Sequence, residues 1–194
     1  MIRYYFLLLT LLFSAACNTT PAKDIPAIKE VISEEKLNFF PVTAYVKGQL
    51  HDILQKGLTP VHYITQNNHT DSVMVKFEKL NELCKEFLQP EIDSANMITY
   101  FTETKFLDQS LDAFTFTYDV KPEAPDSIKL KHWDIYINPA TSKVKRIYWV
   151  KEPTNNTILQ LTWQSNQWCK IVTITKNTDG SSAIIKEEKI SWDY

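Results

Sequence analysis

The stretch LKHWDIYINPATSKVKRIYWVK, residues 130–151, alternates twice and turns once. In its first half Trp133, Ile135 and Ile137 share one parity, and His132, Asp134 and Tyr136 share the other. In its second half Ile147 and Trp149 take the apolar parity, and Arg146 and Tyr148 the polar one. Side chains on a strand point alternately to opposite faces, so each half reads as a strand with one greasy and one wet side. The Pro139-Ala140-Thr141-Ser142 segment between them is turn material. Two half-buried strands joined by a short turn form an antiparallel pair, and antiparallel sheets commonly leave one face wet.

Working outward, the same alternation continues. AFTFTYDV (113–120), KLKHWDIYIN (129–138), KVKRIYWVK (143–151), TILQLTWQ (157–164), QWCKIVTITK (167–176) and AIIKEEKISW (183–192) are six strand candidates. The turn signals PATS, PTNN, SNQ and NTDGS join most of them, a spacing that predicts an antiparallel meander. The apolar face gathers Trp133, Ile135, Ile137, Ile147, Trp149, Leu159, Leu161 and Trp163. The polar face gathers His132, Asp134, Tyr136, Arg146, Tyr148, Gln160 and Thr162. Those seven offer aromatic plates beside hydrogen-bonding groups, which suits a peptide, glycan or partner protein. The plain alternative is the solvated side of an antiparallel sheet.

Upstream the period changes. In residues 41–56 Val42, Tyr45, Val46, Gln49, Leu50, Ile53 and Leu54 recur at helical spacing, with Pro41 suited to the first turn and Gly57 to the stop. Two alternating runs around NNHTD, within residues 59–77, predict a β-hairpin. A second helix is expected over 77–88, ended by Pro90. A third, capped by Asp93 or Ser94, is expected to run to about residue 103. The clustered carboxylates Glu103, Asp108 and Asp112 then read as a solvated helix-end loop. The fold expected is α+β, with N-terminal helices and a β-hairpin packed on a C-terminal antiparallel six-strand meander.

The amino terminus carries an address. Arg3 precedes the apolar run Tyr4 to Phe13, and Ser14, Ala15 and Ala16 are the small residues a signal peptidase accepts. The run is short of the roughly 20 residues a membrane span needs. Ser14-Ala15-Ala16-Cys17 resembles the lipobox of bacterial lipoproteins, and serine three residues before the cysteine resembles the looser form found in Bacteroidota. That resemblance implies cleavage before Cys17, acylation of its thiol and new amine, and a membrane held through the acyl chains. Asn18 stands where inner-membrane retention signals of that family carry Asp, so the outer membrane is the expected location, facing either side. The division expected is a signal peptide over 1–16, lipidated Cys17 and a tether over 17–38, and one α+β domain over 39–194.

Composition narrows the function classes. Twenty-one Lys and Arg against 23 Asp and Glu leave a net charge of −2, without the basic excess of a nucleic-acid binder. Three glycines in all leave no glycine-rich phosphate loop. Cys84 and Cys169 either form one disulfide or serve as two buried thiols, and Cys84 lies on an apolar helical stripe with Phe77, Leu80, Leu83, Phe87 and Leu88. No Cys-x-x-Cys, nucleophile elbow or calcium loop occurs, and His51, His62 and His69 lack metal-ligand spacing, so no metal or cofactor is expected. Asp71-Ser72-Val73, Asp93-Ser94-Ala95 and Asp126-Ser127-Ile128 resemble the O-glycosylation site of exported Bacteroidota proteins, which would modify Ser72, Ser94 and Ser127. Asp-Ser pairs also favour turns and caps on their own.

The segments FFPVTAYVKGQL, FLQPEIDSAN, YFTETKFLDQS and LKHWDIYINPATSKVKRIYWVK are similar to those of small Bacteroidota lipoproteins, a resemblance that implies no catalytic residues. The helix-then-meander order is faintly similar to periplasmic lipoprotein carriers and lipid-binding half-barrels. The leading expectation is a non-catalytic outer-membrane lipoprotein that binds an envelope protein or glycan. The alternatives are a carrier or sensor for an apolar ligand held between helices and sheet, and a small hydrolase using His132 and Asp134.

Overall fold

The computed structural model describes residues 39–92 and 97–192. The expected signal peptide, Cys17, the tether and Ser94 lie outside them. Helix α1 (Val42–Gln55) is followed by strands β1 (Val61–Gln66) and β2 (His69–Met74), then helices α2 (Phe77–Leu83) and α3 (Lys85–Leu88). A single 3-10 turn, Ile98–Tyr100, leads into β3 (Phe101–Asp108) and β4 (Ala113–Val120). Strands β5 (Leu130–Ile137), β6 (Val144–Thr154), β7 (Thr157–Gln164), β8 (Trp168–Lys176) and β9 (Ser182–Ser191) complete the chain. All nine strands form one antiparallel sheet in the order β2-β1-β9-β8-β7-β6-β5-β4-β3.

This overturns the expected α+β arrangement. The hairpin β1–β2 does not pack on the meander; it extends the sheet, because β1 pairs along β9 from Val61↔Ser191 to Thr65↔Glu187. The start of the expected third helix, with Asp93 and Ser94, lies outside the described residues; its remainder is a one-turn 3-10 segment followed by strand β3, which pairs with β4 from Phe101↔Val120 to Asp108↔Ala113. The long second helix is two short ones, broken at Cys84, whose φ of −92° and ψ of 7° leave the helical region. The described residues therefore form a nine-strand sheet with a few short helices on one side.

Register aligns the apolar parity into rows. Ile135 stands opposite Ile147, Ile147 opposite Trp163, Trp163 opposite Cys169 and Cys169 opposite Ile190. Trp133 stands opposite Trp149, and Trp149 opposite Leu161. Trp133, Ile135, Ile147, Leu161 and Trp163 are fully buried. A buried tryptophan removes about 150–250 Å² from water, worth about 4–6 kcal/mol before chain entropy is charged against it.

The helices cover this face. Val42, Val46, Leu50 and Ile53 form the buried stripe of α1, and Gly57 ends it at φ +63°, a left-handed conformation that glycine adopts without strain. Leu54, counted in the expected stripe, is exposed. Two hydrogen bonds dock α1 on the β7–β8 turn: Tyr45 donates to Ser165 Oγ at 2.8 Å, and Asn166 N–H donates to Gln49 Oε1 at 2.8 Å. From α3, Phe87 meets Trp149 and Trp163 edge-on, with ring centroids 5.5 and 5.3 Å apart. Buried Lys151 of β6 donates to the carbonyls of Glu86 and Gln89 and to the Glu86 carboxylate, satisfying the end of α3. Burial lowers the pKa of its ammonium, against the pull of Glu86.

Cys84 and Cys169 meet in this core as free thiols, with Sγ atoms 3.9 Å apart. Burial and the neighbouring Cys84 push the Cys169 thiol well above its ordinary pKa, so its sulfur stays protonated.

Candidate functional site

The polar parity of the sheet also falls into rows. One runs Thr117, Asp134, Tyr148, Thr162 and Lys170 across β4 to β8. The row beside it runs Thr115, Tyr136, Arg146, Gln164 and Trp168. On the other flank Asp119 stands opposite His132, and His132 opposite Val150. Each group is held by its strand at a fixed spacing, so the face is positioned by the ladder itself and not by loops.

Asp134 is the hub. Its Oδ1 accepts from Thr117 Oγ1 at 2.6 Å, and its Oδ2 accepts from Tyr136 OH at 3.0 Å and from His132 Nε2 at 3.0 Å. The other ring nitrogen of His132, Nδ1, lies 2.7 Å from Asp119 Oδ1. With a carboxylate on each nitrogen the imidazole is a double donor, and that form is the cation. The hydrogen bond to Asp134 raises the His132 pKa to about 9, burial opposes it, and Asp119 adds to it. Burial works to raise the Asp134 carboxyl, but His132, Thr117 and Tyr136 outweigh it and hold the pKa below the ordinary value. Tyr136 and Tyr148 are both pushed up, first by burial and then by the Asp134 charge, so their phenols stay neutral.

These shifts fix a pH dependence. The His132 pKa is raised on folding, so its contribution is complete below the unfolded value of about 6.5 and lost as pH rises through 9. The Asp134 pKa is depressed, so its contribution is present above about 3.9 and lost as pH falls below that. After allowance for solvent screening, wild type is expected to lose about 1–3 kcal/mol between pH 6.5 and 9.5. Thermal melts check this; a His132→Gln variant should show a flatter profile over that window.

Two shallow depressions open beside the hub. The larger, about 320 Å³, is lined by Asp134, Tyr136, Arg146, Tyr148 and Thr162. The smaller, about 190 Å³, is lined by Leu111, Ala113, Tyr136, Lys145, Arg146 and Gln164. Tyr136 and Arg146 are common to both and form the ridge between them, with the guanidinium 4.3 Å from the tyrosine ring centre. No carboxylate pairs with Arg146 among the described residues. Lys145 donates from below to the Leu111 carbonyl at 2.8 Å and the Asp112 carbonyl at 3.3 Å, fixing the tip of the β3–β4 hairpin.

Five of the seven face residues read from the sequence thus line one depression. His132 braces it from behind, and Gln160 sits a row away between Val150 and Val172. Alternation also places further groups on this face: Thr117 and Asp119 share a parity in AFTFTYDV, and Trp168 and Lys170 share one in QWCKIVTITK. Trp168 carries a second stacked cation, Lys189, at 5.3 Å. Both imidazole nitrogens of His132 are spent on acids, leaving no lone pair for a metal, and no metal-binding group of three or more side chains occurs among the described residues. Ser127 is exposed in the loop after β4, whereas Ser72 is exposed on edge strand β2 and not in a turn. No family model matches the chain, and no curated protein or solved structure matches it either.

Proposed function

We propose that the chain is an outer-membrane lipoprotein, anchored through acyl chains on Cys17, whose polar sheet face binds an envelope protein or glycan without catalysis. The observation that carries this reading is the hub at Asp134. Its hydrogen bonds fix one wall of the depression, so Asp134, Tyr136, Arg146, Tyr148 and Thr162 present a preorganised polar surface. Hydrolysis by His132 finds less support. A general base needs a free lone pair near neutral pH, and this imidazole carries two protons, both directed at carboxylates. A carrier role finds less support too, since Phe87 and the tryptophans of β6 and β7 pack edge-to-face where an apolar ligand would lie.

Capture from envelope extract tests the reading. Wild-type protein should retain a partner that the Tyr136→Ala/Tyr148→Ala variant loses at least tenfold, with both proteins melting within a few degrees of each other. Identical partner sets would remove the face from the function. Mass spectrometry of the native amino terminus tests the anchor: the expected mass begins at an acylated Cys17, and an unmodified thiol or a retained residue 1–16 segment would refute it.

A further inference from the structure

Charge on the sheet face is not balanced locally. Asp134 is committed to His132, Thr117 and Tyr136, and His132 is shared with Asp119, so one imidazolium answers two carboxylates and all three charges are engaged with one another. Arg146 stands outside it, paired with no carboxylate among the described residues, and borders both depressions. Stacking on Tyr136 holds the guanidinium against the ring, its phenol engages one guanidinium donor, and the other edge donors can fork onto a planar anion. Lys145 adds a second cation to the smaller depression. Around these, the lining offers hydroxyls and an amide: Tyr148, Thr162 and Gln164. The larger depression sits at the small end of ligand pockets, about 300–1,000 Å³, and it is open and shallow, with an aromatic wall and scarcely any aliphatic lining.

We infer that the Tyr136–Arg146 ridge is a subsite for a carboxylate-bearing saccharide, with Arg146 on the carboxylate and Tyr148, Thr162 and Gln164 on the sugar hydroxyls. Sugar rings place C–H groups on aromatic faces and hydroxyls toward polar side chains, the combination this lining presents. A peptide strand would instead seek an unpaired sheet edge, and β4 to β8 are all interior strands whose ladder groups are already paired.

This inference rests on the binding role proposed above and specifies its ligand. The test is calorimetric titration of the full-length protein with three probes: a tetragalacturonate, the same oligosaccharide with its carboxyls reduced to alcohols, and tetraglutamate. Tetragalacturonate should bind, and the reduced and peptide probes should each bind at least tenfold more weakly. Arg146→Gln should lose at least tenfold for tetragalacturonate, and Arg146→Lys should recover only part of the loss, since the point charge remains and the fork does not. Melting curves at pH 7 establish that both variants are folded. Equal binding of the reduced probe would overturn the anion subsite, and equal binding of tetraglutamate would overturn the saccharide. Failure of every probe, with capture still dependent on Tyr136 and Tyr148, would overturn this inference and leave the binding role standing; loss of that dependence as well would remove both.

Discussion

Replacing Trp133 by alanine is expected to cost about 3–5 kcal/mol, against a total stability for a domain of this kind of about 5–15 kcal/mol. Trp133 is fully buried and joins three elements through its ring. It stacks on Tyr118 of β4 with centroids 4.5 Å apart and planes at 12°, meets Phe101 of β3 edge-on at 4.5 Å, and touches Phe39 ahead of α1 at 5.8 Å. Alanine would leave a void between β5 and the segment that starts α1. The indole nitrogen finds no acceptor among the described residues, so the residue serves through volume and not through a hydrogen bond. Trp133→Phe is therefore expected to cost only about 1–2 kcal/mol, because it keeps the stack and removes an unsatisfied donor. Urea unfolding of the two variants checks both numbers. Equal costs would mean that ring contact does not hold β3 and β4 to the rest.

Asp134→Asn is expected to cost about 2–4 kcal/mol at pH 6, although the substitution is isosteric. It removes the charge that accepts from three donors and leaves the imidazolium of His132 with Asp119 alone. One amide N–H₂ must then face a donor, because three donors converge on a group that now has a single acceptor oxygen. The cost should shrink by pH 9.5, where most of the His132 population is neutral in the wild type as well. A double-mutant cycle with His132→Gln should return a coupling of about 1–3 kcal/mol at pH 6 and a clearly smaller one at pH 9.5. Coupling that does not change with pH would show that the pair is not ionic.

Much of this architecture was legible from period alone. The stretch 130–151 sorts its own residues to two faces, and Trp133, Ile135, Ile147 and Trp149 lie buried where alternation puts them. Strand β3 hid because it is an edge: of its eight residues only Phe101 is buried, and Phe106 and Leu107 both face water, so no clean alternation survives. The pairing of β1 with β9 hid for another reason. It joins segments more than a hundred residues apart, and neither strand's pattern names its partner. Local pattern made β1–β2 a hairpin, with Asn67 and Asn68 both at positive φ in the turn, but left its place in the sheet open.

The site divides along the same line. His132 and Asp134 are two apart on one strand, so their shared face could be read directly. Asp119 lies thirteen residues away from His132, and only the β4–β5 register sets it against the ring. Its arrival changes the chemistry: a histidine with one acid resembles a catalytic pair, whereas a histidine between two is a fixed cation. Extending the parity rule from β5 to β4 would have found both Asp119 and Thr117.

The charge state of His132 decides between a binding face and a catalytic one, and nitrogen-detected NMR reads it directly. With both ring nitrogens labelled, His132 is expected to show two protonated nitrogens at pH 7.5 and a titration midpoint near 9. A midpoint at or below about 6.5, with one nitrogen bare at neutral pH, would contradict the clamp between Asp119 and Asp134 and return His132 to the list of candidate bases.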